Sequence, residues 1–179
     1  MTPTSTPSRG TLIGVAALIV FAALSRLIPH SPNFSPIESI ALFGGAAIAS
    51  RRLAILIPIG AMALSDAILG WHTLVPVTYG CIALIALAGQ RLGRRQSVLR
   101  VAGFGLASAV FFFAVSNFFV WLTSGMYVLT LGGLAECYVA ALPFFQNELA
   151  GVAVYSTLLF GAAALWRQQV AAGGTSDAA

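Results

Sequence analysis

The side chains that could do chemistry in this chain are few. Asp66 sits in Leu64-Ser65-Asp66-Ala67-Ile68, Asn117 in Ser116-Asn117-Phe118-Phe119-Val120-Trp121, and Glu136 in Leu134-Ala135-Glu136-Cys137-Tyr138. Glu38, Glu148, His30 and His72 flank apolar runs. An ionisable group inside such a run is costly, so each needs a partner or a ligand. Asp66 wants a cation, a donor or water. Arg26 lies at comparable depth; it either pairs with Asp66 or Glu38, or faces a ligand. Asn117 and Trp121 are four residues apart and share one helix face. With Trp71, Tyr127 and Tyr138 they form either an aromatic belt at the membrane boundary, or a pocket. In the pocket reading, rings stack on a planar ligand while Asn117, Asn147 and a carboxylate orient it.

Three of these groups have structural roles to weigh against binding. Ser35-Pro36-Ile37-Glu38 reads as a capping box with proline at the first helical position. Asn147 reads as the N-cap of a last span, with Glu148 favourable beside the positive helix end. Loop histidines are usually just solvated. Glu136 has no cap to explain it. No standard metal-ligand spacing links the acids and histidines, and no cofactor is expected. Phosphate-cradling, zinc-hydrolase and nucleophile-elbow signatures are missing from the sequence. A binder rather than an enzyme is therefore expected. The alternatives are a structural or assembly subunit, or a membrane enzyme using Asp66, Glu136 or a histidine as acid and base. Cys81 and Cys137 read as small packed residues, without a disulfide framework.

The elements that must position these residues are membrane spans. The chain has 179 residues, 59% hydrophobic and 8% charged, where a soluble domain carries roughly 25% charge. Six spans are expected, near 11–29, 36–50, 53–70, 73–90, 101–122 and 147–166; the second is short. The first run exceeds a signal-peptide core of about 7–15 residues and reads as a retained span. The apolar stretch 123–145 reads as an interfacial or re-entrant helix covering one face. The expected organisation is one transmembrane domain over 10–167, with disordered tails at 1–9 and 168–179.

Charge sets the expected orientation. There is no lysine, and Arg9, Arg51, Arg52, Arg91, Arg94, Arg95, Arg100 and Arg167 fall at alternate junctions. The positive-inside rule puts both termini in the cytoplasm of a bacterial inner-membrane protein. Glu38, Asp66, Glu136 and Glu148 then belong to the outward half, with His30 and His72. The net charge of +4 serves orientation and the lipid bilayer, not nucleic acid. Ala41, Gly45 and Ala49 form a small-xxx-small series that lets a helix approach closely, either within the chain or from a partner subunit.

Several strings carry a family resemblance: Pro32-Asn33-Phe34-Ser35-Pro36, Ala41-Leu42-Phe43-Gly44-Gly45, the Asp66 and Asn117 strings above, and Ala141-Leu142-Pro143-Phe144-Phe145-Gln146-Asn147. They resemble an uncharacterised bacterial family of small putative transport proteins. That family is similar in size and layout to the substrate-binding S components of energy-coupling factor transporters. The resemblance implies six helices, an outward pocket for a vitamin-like compound or an ion, and an ATP-driven energising partner. It implies that loops one, three and five close the site, and these hold His30 and Asn33, Trp71 and His72, and Glu136 and Tyr138. Taken with the reading of the residues above, the candidate substrate contacts are Arg26, Asn33, Glu38, Asp66, His72, Asn117, Trp121, Glu136, Tyr138 and Asn147. The chain departs from the S-component pattern in having its clean small-residue series on the second span, not the first.

Overall fold

The computed structural model describes residues 17, 21, 24–27, 31–93 and 96–173. Five helices follow a short helical piece at 24–27: α1 (Ile37–Ala47), α2 (Arg51–Leu69), α3 (Val75–Leu92), α4 (Val98–Thr123) and α5 (Leu131–Gly173). The described residues contain no strand. Among the described residues four helices are long and apolar enough to cross a membrane, α2, α3, α4 and α5 as far as Gln169, with mean hydropathy of 1.8, 1.4, 2.0 and 1.7 over an 18-residue stretch of each. The chain is all-α and has the make-up of a multi-pass membrane protein. The first expected span is described only in part. His30, Arg9, Arg94 and Arg95 lie outside the described residues, as does the tail 1–9.

Local chemistry sets the helix ends. Ser50 and Ser97 are N-caps whose hydroxyls accept from the Leu53 and Arg100 amides, both at 3.4 Å. Pro76 stands in the first turn of α3, where its missing N–H costs nothing. Gly70 (φ 102) and Gly93 (φ 51) end α2 and α3 in backbone that L side chains rarely adopt.

The shortest helix is the central one. α1 has 11 residues and packs against all four others. Ile40, Ala41 and Leu42 are buried at its middle, with Ile82, Ile85 and Ala86 of α3. The outer surfaces of α4 and α5 instead expose Leu106, Val110, Phe118, Val139, Leu158 and Leu165, as lipid contact requires. These two helices run antiparallel. The Tyr138 hydroxyl donates to the Ala114 carbonyl at 2.6 Å, Val152 lies over Gly105, and Arg167 donates to Gln96 Oε1 at 2.8 Å.

One expectation is corrected here. The stretch 123–145 is not a separate interfacial or re-entrant helix. From Leu131 it is continuous with the last span, in one helix of 43 residues. Pro143 removes a bond to the Val139 carbonyl, but strong helix formers around it, Ala140-Ala141-Leu142, carry the helix through. At 1.5 Å per residue such a helix reaches about 65 Å, well beyond the ~30 Å hydrocarbon layer. The tail expected from 168 is likewise helical as far as Gly173.

Candidate functional site

A cavity of about 240 Å³ opens where α1 begins, bounded on its polar side by Arg26, Asn33, Glu38, His72, Thr78 and Glu148. Ile37, Met62, Leu69 and Phe112 supply its apolar wall. The segment before α1 shapes it. The Phe34 amide donates to the Ser31 carbonyl at 3.0 Å, closing a turn that holds Asn33 at φ 63. Asparagine is one of the few residues that tolerate this left-handed region. Asn147 Nδ2 on α5 donates to the Pro32 carbonyl at 3.0 Å and clamps the turn to the helix. Gly151 lets α5 come close: a Cβ there would stand 3.1 Å from the Ser35 amide. One turn further, Ser39 and Ser156 share a 3.0 Å hydrogen bond, and the Ser39 hydroxyl lies 3.3 Å from the Val152 carbonyl.

This seam brings two carboxyls together. Glu38 comes from the first turn of α1 and Glu148 from the middle of α5, with 6% and 2% of their surfaces exposed. The two carboxyls lie close enough to interact, and Asn33 lies beside that of Glu148. No hydrogen bond of good geometry results: Glu38 Oε2 and both oxygens of Glu148 have no partner among the described residues. Buried carboxyl oxygens left this way carry a desolvation penalty that a ligand can relieve.

Arg26 is held on the other side of the cavity. Its Nη2 meets Asp66 Oδ1 at 2.7 Å. Nη1 donates to Ser65 Oγ at 2.6 Å and lies 3.4 Å from the Met62 carbonyl. The Tyr79 hydroxyl donates to Asp66 Oδ2 at 2.8 Å. Asp66 is 1% exposed, so it fixes Arg26 from behind rather than facing the cavity itself.

The sequence candidates therefore divide. Arg26, Asn33, Glu38 and His72 bound the cavity, Asp66 anchors Arg26, and Asn147 braces the Asn33 turn. Asn117, Trp121, Glu136 and Tyr138 lie elsewhere, along the α4–α5 pair. Asn117 Nδ2 donates to the Phe113 carbonyl of its own helix at 2.8 Å. Trp121 Nε1 donates to the Val128 carbonyl at 3.0 Å, across the α4–α5 turn, and Glu136 is exposed. The capping box at Ser35 and Glu38 does not close: the N-cap is Pro36 rather than Ser35, and the Ser35 hydroxyl accepts from the Ile37 amide at 3.4 Å instead of from the Glu38 amide. Asn147 caps nothing, because α5 starts at Leu131. Glu148, Thr78 and Tyr79 belong to the site and its support but were not picked out as contacts. Beside the expected cap Asn147, Glu148 looks like a helix-end residue; only the continuity of α5 from Leu131 makes it a buried mid-helix acid.

Ala41 and Gly45 are both buried, and Gly45 packs on α3 at Ala86 and Gly89; Ala49 is exposed beyond the end of α1. The close approach they permit is used inside the chain. A larger cleft of about 440 Å³ between α4 and α5 is apolar apart from Gln96, Ser156 and Thr157, and it lacks charged groups to recognise a polar ligand. Among the described residues no three His, Cys, Asp or Glu side chains gather as a metal site.

A family model described as a family of unknown function (DUF6580) matches residues 7–173. No curated protein and no solved structure matches the chain.

Proposed function

We propose, for a chain that belongs to the DUF6580 family, that it takes up a small micronutrient across a bacterial inner membrane through the cavity between α1 and α5. The observation that carries this reading is a set of buried carboxyl oxygens without partners among the described residues, on two glutamates that line a cavity of about 240 Å³. A purely structural acid would be neutralised or hydrogen-bonded. Convergent polar groups facing an apolar wall suit ligand binding.

Six spans with cytoplasmic termini, including one through residues 11–29, place the cavity towards the outer side in this reading, because Arg51, Arg52, Arg91, Arg100 and Arg167 mark the opposite end. The sequence has no nucleotide-cradling motif, so active uptake requires an ATP-driven partner, as the likeness to S components implies. Binding, not turnover, is the role assigned to Glu38 and Glu148.

The test is native mass spectrometry of protein purified gently from its own host. A retained small molecule, lost in both Glu148→Ala and Asn33→Gly, is the expected result. An empty protein that co-purifies with other membrane subunits, with accumulation of no nutrient altered by its deletion, overturns the proposal in favour of an assembly role.

A further inference from the structure

We infer that the compound taken by this cavity is a small organic cation, an apolar body carrying a protonated amine or amidine that docks between Glu38 and Glu148. The inference deepens the binding role proposed above and rests on it.

Charge is the first argument. Three carboxyl oxygens from two residues at least nine-tenths buried meet in this space without partners among the described residues. Among the described residues Arg26 is the one arginine on the cavity wall, and it does not offset them. Arg26 gives its Nη2 to Asp66 and its Nη1 to Ser65, so its charge is already matched by an acid behind it. His72 is exposed. An anionic ligand would have to approach two carboxyls to reach a guanidinium that is already engaged. A neutral ligand could donate hydrogen bonds but would leave any carboxylate charge uncompensated. A protonated amine supplies up to three donors and the balancing charge in one group.

Shape is the second argument. The cavity has the volume of about eight waters, small beside the roughly 300–1,000 Å³ of drug-sized sites. Ile37, Met62, Leu69 and Phe112 line it, and they would stay unfilled around a bare ion. An aromatic wall also suits a cation better than an anion. Among the described residues no three His, Cys, Asp or Glu side chains gather to hold a metal ion, and the magnesium arm of the titration tests the two-carboxylate alternative.

The experiment titrates the purified full-length protein with benzylammonium, benzyl alcohol and benzoate, three probes of nearly one shape and different charge, alongside sodium and magnesium chloride. Benzylammonium is expected to bind at least tenfold more tightly than benzyl alcohol, with benzoate and both salts silent at this site. Glu148→Gln and, separately, Glu38→Gln should each weaken benzylammonium at least tenfold while changing benzyl alcohol less than threefold. The retained alcohol binding shows that the variant is folded. Equal binding of alcohol and ammonium, preference for benzoate, or a magnesium ion that outcompetes benzylammonium overturns the cation inference and leaves the binding role standing. If no probe binds, the compound retained from the host decides: a neutral or anionic one overturns the inference alone, and an empty protein overturns both.

Discussion

Asp66 Oδ1 lies 2.7 Å from Arg26 Nη2, and this contact decides the sign of the pocket. Without it the cavity would present a guanidinium to its ligand; with it, Arg26 becomes wall, and the glutamates are left as the acids whose oxygens have no partner among the described residues. Tyr79 and Ser65 complete the arrangement by occupying Asp66 Oδ2 and Arg26 Nη1. α2 and α3 thus set the chemistry of a cavity whose acids come from α1 and α5.

Removing one partner of such a pair strands a buried charge at a cost of about 3–5 kcal/mol, whereas exchanging both for apolar residues is often close to neutral. Asp66→Leu is therefore expected to lower unfolding stability in detergent by about that amount. Arg26→Met combined with Asp66→Leu should recover most of it. Asp66→Leu also releases Arg26, so benzoate binding should appear where the unaltered protein shows none. A double variant as unstable as the single one would deny the pair this role.

The crossing of α1 and α3 makes a second expectation. A Cβ on Gly45 would fall on the Ala86 carbonyl, and one on Gly89 on the Leu42 carbonyl. Backbone cannot yield as a side chain does, so Gly45→Ala and Gly89→Ala should each cost about 1–3 kcal/mol by prising the helices apart. Gly80→Ala and Gly103→Ala meet nothing within 4 Å; they should be neutral or stabilising by about 0.5–1 kcal/mol. Thermal unfolding of the four variants side by side measures the contrast, and a uniform response would show that the crossing is loose.

How much of this could be read from the sequence depended on whether a signal was local. Apolar runs bounded by arginines gave α2, α3 and α4 within a few residues, because length and hydropathy suffice to define a span. Asp66 and Arg26 were recognisable as an expensive pair, and Glu38 as an acid needing an explanation. The expected split of α5 comes from charge and from Asn147: a span through 123–145 would put Arg167 on the far side of the membrane, and Asn147 before Glu148 reads as a helix cap. Helix continuity from Leu131 past Pro143 is a tertiary outcome, tolerated where neighbouring segments support the backbone, and it turns Glu148 from a helix-end acid into a buried mid-helix one. Asn117 and Tyr138 carried suitable chemistry, yet which helix faces the cavity is a tertiary fact. Gly89 had no sequence mark, since its role exists only opposite Gly45.

Asn33 separates backbone from chemistry. Its φ of 63 is a left-handed conformation that costs an ordinary L residue about 1–2 kcal/mol. Asn33→Gly should therefore keep or slightly raise stability while removing the amide beside Glu148, so benzylammonium affinity falls several-fold with an unchanged melting temperature. Asn33→Val should lower stability by about 1–2 kcal/mol. If Asn33→Gly leaves affinity intact, the turn serves only to shape the cavity and the amide has no part in binding.

Orientation can be settled with the two ends of α4. Val98 and Met126 flank that helix and are 87% and 69% exposed, while Cys81 and Cys137 are buried. Replacing both native cysteines by alanine removes background reactivity from positions a polar reagent reaches poorly. In that background Met126→Cys should react with a membrane-impermeant maleimide on intact cells, and Val98→Cys only after permeabilisation, because Arg91 and Arg100 hold the Val98 end in the cytoplasm under the positive-inside rule. The reverse pattern would turn the cavity towards the cytoplasm and make the protein an exporter or a cytoplasmic-side binder. Labelling of both positions from one side would mean that α4 does not cross, despite its 26 residues and a mean hydropathy of 2.0 over 18 of them.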